Sequence, residues 1–165
     1  MEFYRTERLV IRNVEEKDIP IIHDYRNNEI CSRYQRGQVK TLSGISDLVE
    51  KRKNDVLSVH SDFILAAALK DSDEMVGEIV VMPNDGCISL GYTFSYKHHR
   101  KGYAFEALSS LIEKLHAAYP DWEFISFTEP QNTASMALLE KLGYAHICYS
   151  EKLDSEVYGK WVKET

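Results

Sequence analysis

Positive charge is the first thing this sequence is short of: 20 lysines and arginines stand against 26 aspartates and glutamates, a formal net charge of −6. Nucleic-acid binding draws its affinity from a dominant basic face that neutralises phosphates, so no nucleic-acid partner is expected. An acidic surface suits a cationic partner, and it also serves solubility. Cysteine is scarce. Cys31, Cys87 and Cys148 are widely spaced, with no Cys-x-x-Cys pair and no histidine spacing suited to zinc, so no metal site is expected and the thiols read as buried ones. Long apolar runs are missing as well. None approaches the length of a membrane span, and the amino-terminal stretch Met1-Glu2-Phe3-Tyr4-Arg5 lacks the apolar core of a signal peptide. No membrane partner is expected, and the expected location is the cytoplasm. No internal repeat or low-complexity linker interrupts the 165 residues, and a hydrophobic content of 44% is enough for one domain over residues 1–165 with a real core.

What is present concentrates in residues 91–119, where an apolar strand meets a long helix through a basic, glycine-containing turn. Ala104, Leu108, Leu111, Ile112 and Leu115 recur at three- and four-residue steps, so one face of that helix is apolar and packs on a sheet. The helix starts near Gly102. Its first amides lack intrahelical partners and carry the positive end of the macrodipole, which makes the preceding turn a phosphate cradle; Lys97, Arg100 and Lys101 add charge there.

The rest of the chain reads in order. Residues 8–12 form a short β-branched run flanked by charges, a first strand. A helix is expected over 18–28, a loop over 28–41, and a second helix, thin in apolar residues, over about 43–55, lying over the edge of the core as a wall or lid. Residues 63–69, 75–82 and 87–94 are apolar runs joined by short polar turns, which makes them an antiparallel meander. After the long helix, residues 122–128 alternate bulky side chains as a strand, parallel to its neighbour because it returns through a helix. Asn132 then caps a helix carrying Ala134, Ala137, Leu138 and Leu142 and closed by Gly143, and residues 144–149 and 156–162 read as two last strands. The fold class is therefore α+β: a mixed, mostly antiparallel twisted sheet of about seven strands flanked by about four helices.

Two segments carry a resemblance. His99-Arg100-Lys101-Gly102-Tyr103-Ala104 resembles the coenzyme A signature of the GNAT N-acetyltransferases, which runs Gln or Arg, two residues, Gly, one residue, then Gly or Ala; His99 stands where the family usually has Gln or Arg. Farther on, Asn132-Thr133-Ala134-Ser135-Met136-Ala137-Leu138-Leu139-Glu140-Lys141-Leu142-Gly143-Tyr144 resembles the family's Asn-x-x-Ser segment, which ends Leu-Glu-Lys-Leu-Gly-Phe. Arg5-Thr6-Glu7-Arg8-Leu9-Val10-Ile11-Arg12 is similar to the opening of the ribosomal-protein N-terminal acetyltransferase-like subgroup. Two separated motifs, in order and on the elements they require, make chance agreement improbable.

The resemblance implies a GNAT fold whose fourth and fifth strands splay apart, with acetyl-CoA as co-substrate in the gap. Backbone groups of Tyr92, Thr93 and Phe94 would meet the pantetheine amides and polarise the thioester carbonyl. Amides of His99, Arg100, Lys101, Gly102, Tyr103 and Ala104 would hold the pyrophosphate, while Asn132 and Ser135 would reach the cofactor from the opposite wall. The plainer reading of Asn132 and Ser135 is a helix cap. The implied activity is transfer of an acetyl group to a primary amine, either a protein amino terminus or a small amine, by direct attack in a ternary complex. A base must take the amine proton, and Glu129 and Glu78 are the candidates, each otherwise a surface carboxylate. The tyrosine that many members place seven residues after the motif Asn is replaced by Leu139; Ser135, Tyr144 or Tyr149 stand in for it, or solvent does. The alternative is a coenzyme A-binding sensor or interaction module of the same fold without catalysis. A homodimer over the aromatic last strand, with Tyr158 and Trp161, is a further expectation.

Overall fold

The computed structural model describes residues 1–164. Eight strands form one sheet in the order β1-β2-β3-β4-β5-β6-β8-β7: β1 (Glu2–Arg5), β2 (Leu9–Arg12), β3 (Phe63–Leu69), β4 (Met75–Asn84), β5 (Cys87–Phe94), β6 (Glu123–Thr128), β7 (Ala145–Ser150) and β8 (Ser155–Lys160). All neighbours are antiparallel except β5 and β6, as the helical return to β6 requires. The expected meander is β3-β4-β5. Its second turn is tight because Asp85 (φ 48°) and Gly86 (φ 82°) both take the left-handed conformation of a two-residue hairpin with a primed turn.

Five α-helices cover the sheet: α1 (Ile19–Arg26), α2 (Glu29–Ser32), α3 (Leu42–Arg52), α4 (Tyr103–Ala118) and α5 (Thr133–Lys141). The apolar stripe of α4 is realised with a small shift. Ala107, Leu108, Leu111, Ile112 and Leu115 are buried against Leu65, Ala67, Ile79 and Ile88, while Ala104 is only half-buried. On the opposite face Ile22 and Tyr25 of α1 and Ile45 and Val49 of α3 pack with Ile64, Ala66 and Met75. The two helix layers bury opposite faces of one sheet.

Four local expectations need correction. A strand, β1, precedes the first one read from the sequence, and a helical turn, α2, stands within the expected loop because Asn28 Oδ1 accepts from the amides of Ile30 (2.9 Å) and Cys31 (3.3 Å). The helix after Asn132 buries Leu139 and Leu142, whereas Ala134 and Ala137 are exposed. Of the thiols Cys31 is buried, but Cys87 is half-buried and Cys148 exposed. Among the described residues no helix is long and apolar enough to cross a membrane.

Candidate active site

The sheet is open at one place. β5 and β6 pair only at Cys87 opposite Glu123 and Ile88 opposite Phe124, yet β5 runs on to Phe94 and β6 to Thr128. Beyond those pairs the strands part, leaving the backbone of residues 89–94 without a ladder on that side. A cleft of about 540 Å³ lies at the parting, lined by Tyr92, Thr93 and Phe94 of β5, His99, Arg100 and Ala104 at the start of α4, and Asn132 and Ser135 at the start of α5. All eight are residues that the sequence singles out, and Lys101, Gly102 and Tyr103 complete the same turn.

The turn before α4 leaves backbone donors free. Gly102 is the helix N-cap at φ 79°, ψ 10°, and it offers no side chain to its own helix. Glu106 N already donates to Gly102 O (3.0 Å), which leaves the amides of Tyr103, Ala104 and Phe105 as the orphan donors of the first turn. Arg100 holds φ 63°, a conformation that a side-chain-bearing residue adopts at a cost, as happens where backbone donors are aimed. His99 does not face this turn. Its ring folds back, Nε2–H donating to Phe94 O (2.7 Å), and its amide donates to Tyr96 O (3.4 Å).

What keeps the turn in place is only partly legible in the sequence. Glu106, in the first turn of α4, accepts from Thr6 Oγ1 (2.5 Å), Arg8 N (2.8 Å) and Arg8 Nε (2.7 Å), and Arg8 Nη1 donates to Lys101 O (2.8 Å). The Arg8 guanidinium also lies over the Tyr103 ring. Thr6 and Arg8 belong to the opening segment, residues 5–12, that resembles the ribosomal-protein acetyltransferase subgroup; Glu106 stands two residues beyond the coenzyme A signature. The signal is present in two motifs, but nothing in either says that they touch.

Asn132 caps α5, its Oδ1 accepting from Ser135 N (3.2 Å). Ser135 Oγ lies 2.8 Å from Tyr92 Oη, a contact that spans the parted strands. Burial raises the Tyr92 phenol above its ordinary value, and the Ser135 hydroxyl offsets part of that rise. Leu139, four residues on, is buried in the core.

The two candidate bases are separated by environment. Glu78 on β4 is 1% exposed and fully engaged: Arg26 Nε and Tyr25 Oη donate to Oε1 (2.8 Å each) and Arg26 Nη2 to Oε2 (2.6 Å). Glu129 stands just beyond β6 on the wall of a cavity of about 220 Å³ that also meets Tyr92, Asn132 and Ser135. Arg36 Nε donates to its Oε1 (2.5 Å), and Oε2 accepts no hydrogen bond among the described residues.

Sequence reasoning missed the strap that crosses the opening. Between α2 and α3, Tyr34 Oη donates to Gln131 O (3.2 Å), Gln35 Nε2 to Tyr92 O (3.1 Å), and Arg36 Nη1 and Nη2 to the carbonyls of Leu153 (2.8 Å) and Asp154 (3.0 Å). These few residues hold β5, the end of β6 and the β7-β8 hairpin together. Under the strap, on the α3 side of the sheet, lies a second cavity of about 300 Å³ lined by Ile64, Val80, Met82 and Gly91 and also by the paired Arg26 and Glu78. Tyr92 and Thr93 border both cavities, so the cleft beside α4 and the α3-side cavity meet across one strand.

Residues 8–145 match the acetyltransferase (GNAT) domain family over most of the chain. The chain belongs to that family. It is similar to the uncharacterized N-acetyltransferase YnaD of Bacillus subtilis (strain 168), 27% identical over 140 residues that cover 84% of this chain and 79% of that protein. A GNAT-family acetyltransferase of Bacillus anthracis superposes with a TM-score of 0.81 at 25% identity, covering 96% of each chain. The fold is shared as well with RimL, a ribosomal L7/L12 α-N-protein acetyltransferase solved in complex with coenzyme A, at a TM-score of 0.80 and 12% identity over 97% of each chain. This GNAT protein is thus an acetyl-CoA-dependent acetyltransferase, and the expected fold is the one observed, with one strand and one short helix more than were read from the sequence.

Proposed function

We propose that this GNAT enzyme transfers the acetyl group of acetyl-CoA to a primary amine, a protein amino terminus or a small amine, by direct attack within a ternary complex. The observation that carries the reading is the parting of β5 from β6 beside the uncapped start of α4. It joins a slot in the sheet to a cluster of backbone donors, which is what a nucleotide diphosphate with a long, amide-bearing arm requires. The fit of the residues present supports that substrate. Gly102, Tyr103 and Ala104, with Arg100 and Lys101 beside them, would hold the diphosphate, and Asn132 and Ser135 would flank the arm from α5.

Of the two carboxylates Glu129 is the better placed base. Glu129 lines the cavity shared with Tyr92 and Ser135 and keeps Oε2 free of hydrogen bonds among the described residues, and it can take the amine proton directly or through water, a role that contributes about 10²–10⁴-fold. Glu78 has both oxygens committed to Arg26 and Tyr25, and it acts as the anchor of α1 instead. The acceptor would reach Glu129 through that same cavity beneath the strap, where Tyr34, Arg36, Tyr92 and Ser135 stand around it.

Thiol release from acetyl-CoA, measured against a panel of small amines and peptides with free amino termini, tests the reading. Turnover with at least one amine, with a product carrying one acetyl group on nitrogen, supports it. Coenzyme A binding without turnover against the whole panel would replace it with the sensor reading, which the loss of a tyrosine at Leu139 favours.

A further inference from the structure

We propose that the Tyr92 hydroxyl, held against Ser135 across the parted strands, protonates the sulfur that leaves when the acetyl group is transferred. This inference rests on the transferase reading above.

The helix α5 carries no phenol into the cleft. Position 139, where a tyrosine would reach from α5, is a leucine 2% exposed in the core. Of the other hydroxyls near the segment, Tyr149 is exposed on β7, its Oη donating to Asp154 Oδ1 (2.5 Å), and Tyr144 is buried at 4% exposure with no hydrogen-bond partner for its oxygen among the described residues. Tyr92 comes from the facing strand and lines the cleft, and its Oη meets Ser135 Oγ at 2.8 Å one helical turn before Leu139. A phenol supplied by β5 thus stands opposite the face of α5 that lacks one.

The neutral amine nitrogen forms a bond to the thioester carbonyl carbon, and the carbon–sulfur bond breaks with its electron pair left on sulfur. The Tyr92 O–H proton passes to that sulfur, giving the free thiol. The amine's surplus proton goes to Glu129 or to water beside it, and from there by way of solvent and Ser135 it restores the phenol. One proton moves from nitrogen to sulfur overall. A phenol in water is a weaker acid than a thiol, but a thiolate released into the same dry cleft is desolvated too, and its appetite for a proton rises with that of Tyr92. The titratable and charged groups around Tyr92 are Cys31 of α2, Arg33, Tyr34 and Arg36 from the strap, His99 and Arg100 from the turn before α4, Glu129 at the end of β6, Tyr144 after α5 and, on the α3 side, Arg26, Arg52 and Glu78.

The experiment compares wild-type protein with Tyr92→Phe, which keeps the ring, and with Ser135→Ala. Steady-state rates are measured over pH with acetyl-CoA and a reactive amine, and coenzyme A affinity is measured by calorimetry. Tyr92→Phe is expected to lower kcat 10- to 100-fold while the KM for acetyl-CoA and the affinity for coenzyme A stay within about twofold, and to abolish the fall of kcat at alkaline pH expected of the wild type. Ser135→Ala is expected to lower kcat less and to shift that alkaline limb rather than remove it. A Tyr92→Phe enzyme with wild-type kcat and an unchanged alkaline limb overturns the proposal, as does a rate loss matched by an equal loss of coenzyme A affinity. Should Tyr92→Phe fail to fold, an unshifted limb in Ser135→Ala overturns it. Wild-type protein that binds coenzyme A but releases no thiol with any amine sinks the transferase reading, and this step with it; turnover that both variants leave untouched sinks this step alone.

Discussion

Arg26 closes on Glu78 with both arms of its guanidinium, Nε on Oε1 at 2.8 Å and Nη2 on Oε2 at 2.6 Å, in a site where the two side chains are 6% and 1% exposed. Tyr25 adds a third donor to the same carboxylate. The pair fastens α1 to the middle of β4, directly behind the strand that borders the cleft. Desolvation of two charges is recovered only because every oxygen of Glu78 has a donor.

Removing one member therefore leaves the other buried and uncompensated. Arg26→Ala is expected to lower the free energy of unfolding by about 3–5 kcal/mol, read from urea denaturation. Glu78→Gln should be destabilising for the same reason, yet leave kcat of the folded fraction within a few-fold. A collapse of kcat in a fully folded Glu78→Gln protein would return the role of base to Glu78.

The Arg36–Glu129 contact has the opposite character, because Arg36 is 53% exposed. Arg36→Ala should change stability by less than about 1 kcal/mol. Its effect belongs to the strap: with the grips on Glu129, Leu153 and Asp154 gone, the KM for the amine should rise several-fold while the KM for acetyl-CoA holds. Glu129→Gln, by contrast, should cut kcat by about 10²–10⁴ with little change in either KM. Equal kinetics for Glu129→Gln and the wild type would exclude it as the base.

Gly102 offers a test with a built-in control. At its φ of 79° an added Cβ costs about 1–2 kcal/mol for the left-handed conformation, and that Cβ would sit 3.3 Å from Arg8 Nη2. Gly86, at φ 82° with nothing within 4 Å of an added Cβ, carries the same backbone penalty at the end of β5 away from the Gly102 turn. Gly102→Ala and Gly86→Ala should thus lose comparable stability, while only Gly102→Ala weakens coenzyme A binding, by about tenfold or more in calorimetry. Equal affinities in the two variants would take the turn out of the diphosphate site.

Much of the site was readable because its signals are local. The α4 stripe, the helix start at Gly102 and the Asn132 cap each depend on residues within a few positions of one another, and the structure holds all three, with the stripe running from Ala107 rather than Ala104. The strap and the ion pairs were not readable. Arg36 meets Glu129 across 93 positions and Arg26 meets Glu78 across 52, and no periodicity links such residues before the sheet exists. Leu139 shows a subtler limit: the sequence reading puts Ala134, Ala137, Leu138 and Leu142 on the apolar face, and of these the core buries Leu142 while taking Leu139, outside that set, in place of the alanines.

Glu106 makes the clamp on α4 sensitive to acid. Burial by itself would raise this carboxyl, but the hydrogen bonds from Thr6 and from the Arg8 amide and guanidinium outweigh it and hold the group below the ordinary carboxylate range. The start of α4 adds a favourable dipole. A carboxyl depressed in the folded state contributes stability above its unfolded value, near 4.3, and loses that contribution as pH falls through the lower, folded one. The difference in unfolding free energy between wild type and Glu106→Gln should accordingly be steady from about pH 6 to 8 and shrink below about pH 4.5, measured by urea denaturation at each pH. Because Arg8 also holds the Lys101 carbonyl, the variant should bind coenzyme A more weakly at neutral pH, where it is still folded. A stability difference that stays flat down to pH 3.5 would mean that the carboxylate charge contributes nothing to the clamp, and that Thr6 and Arg8 hold the turn by shape alone.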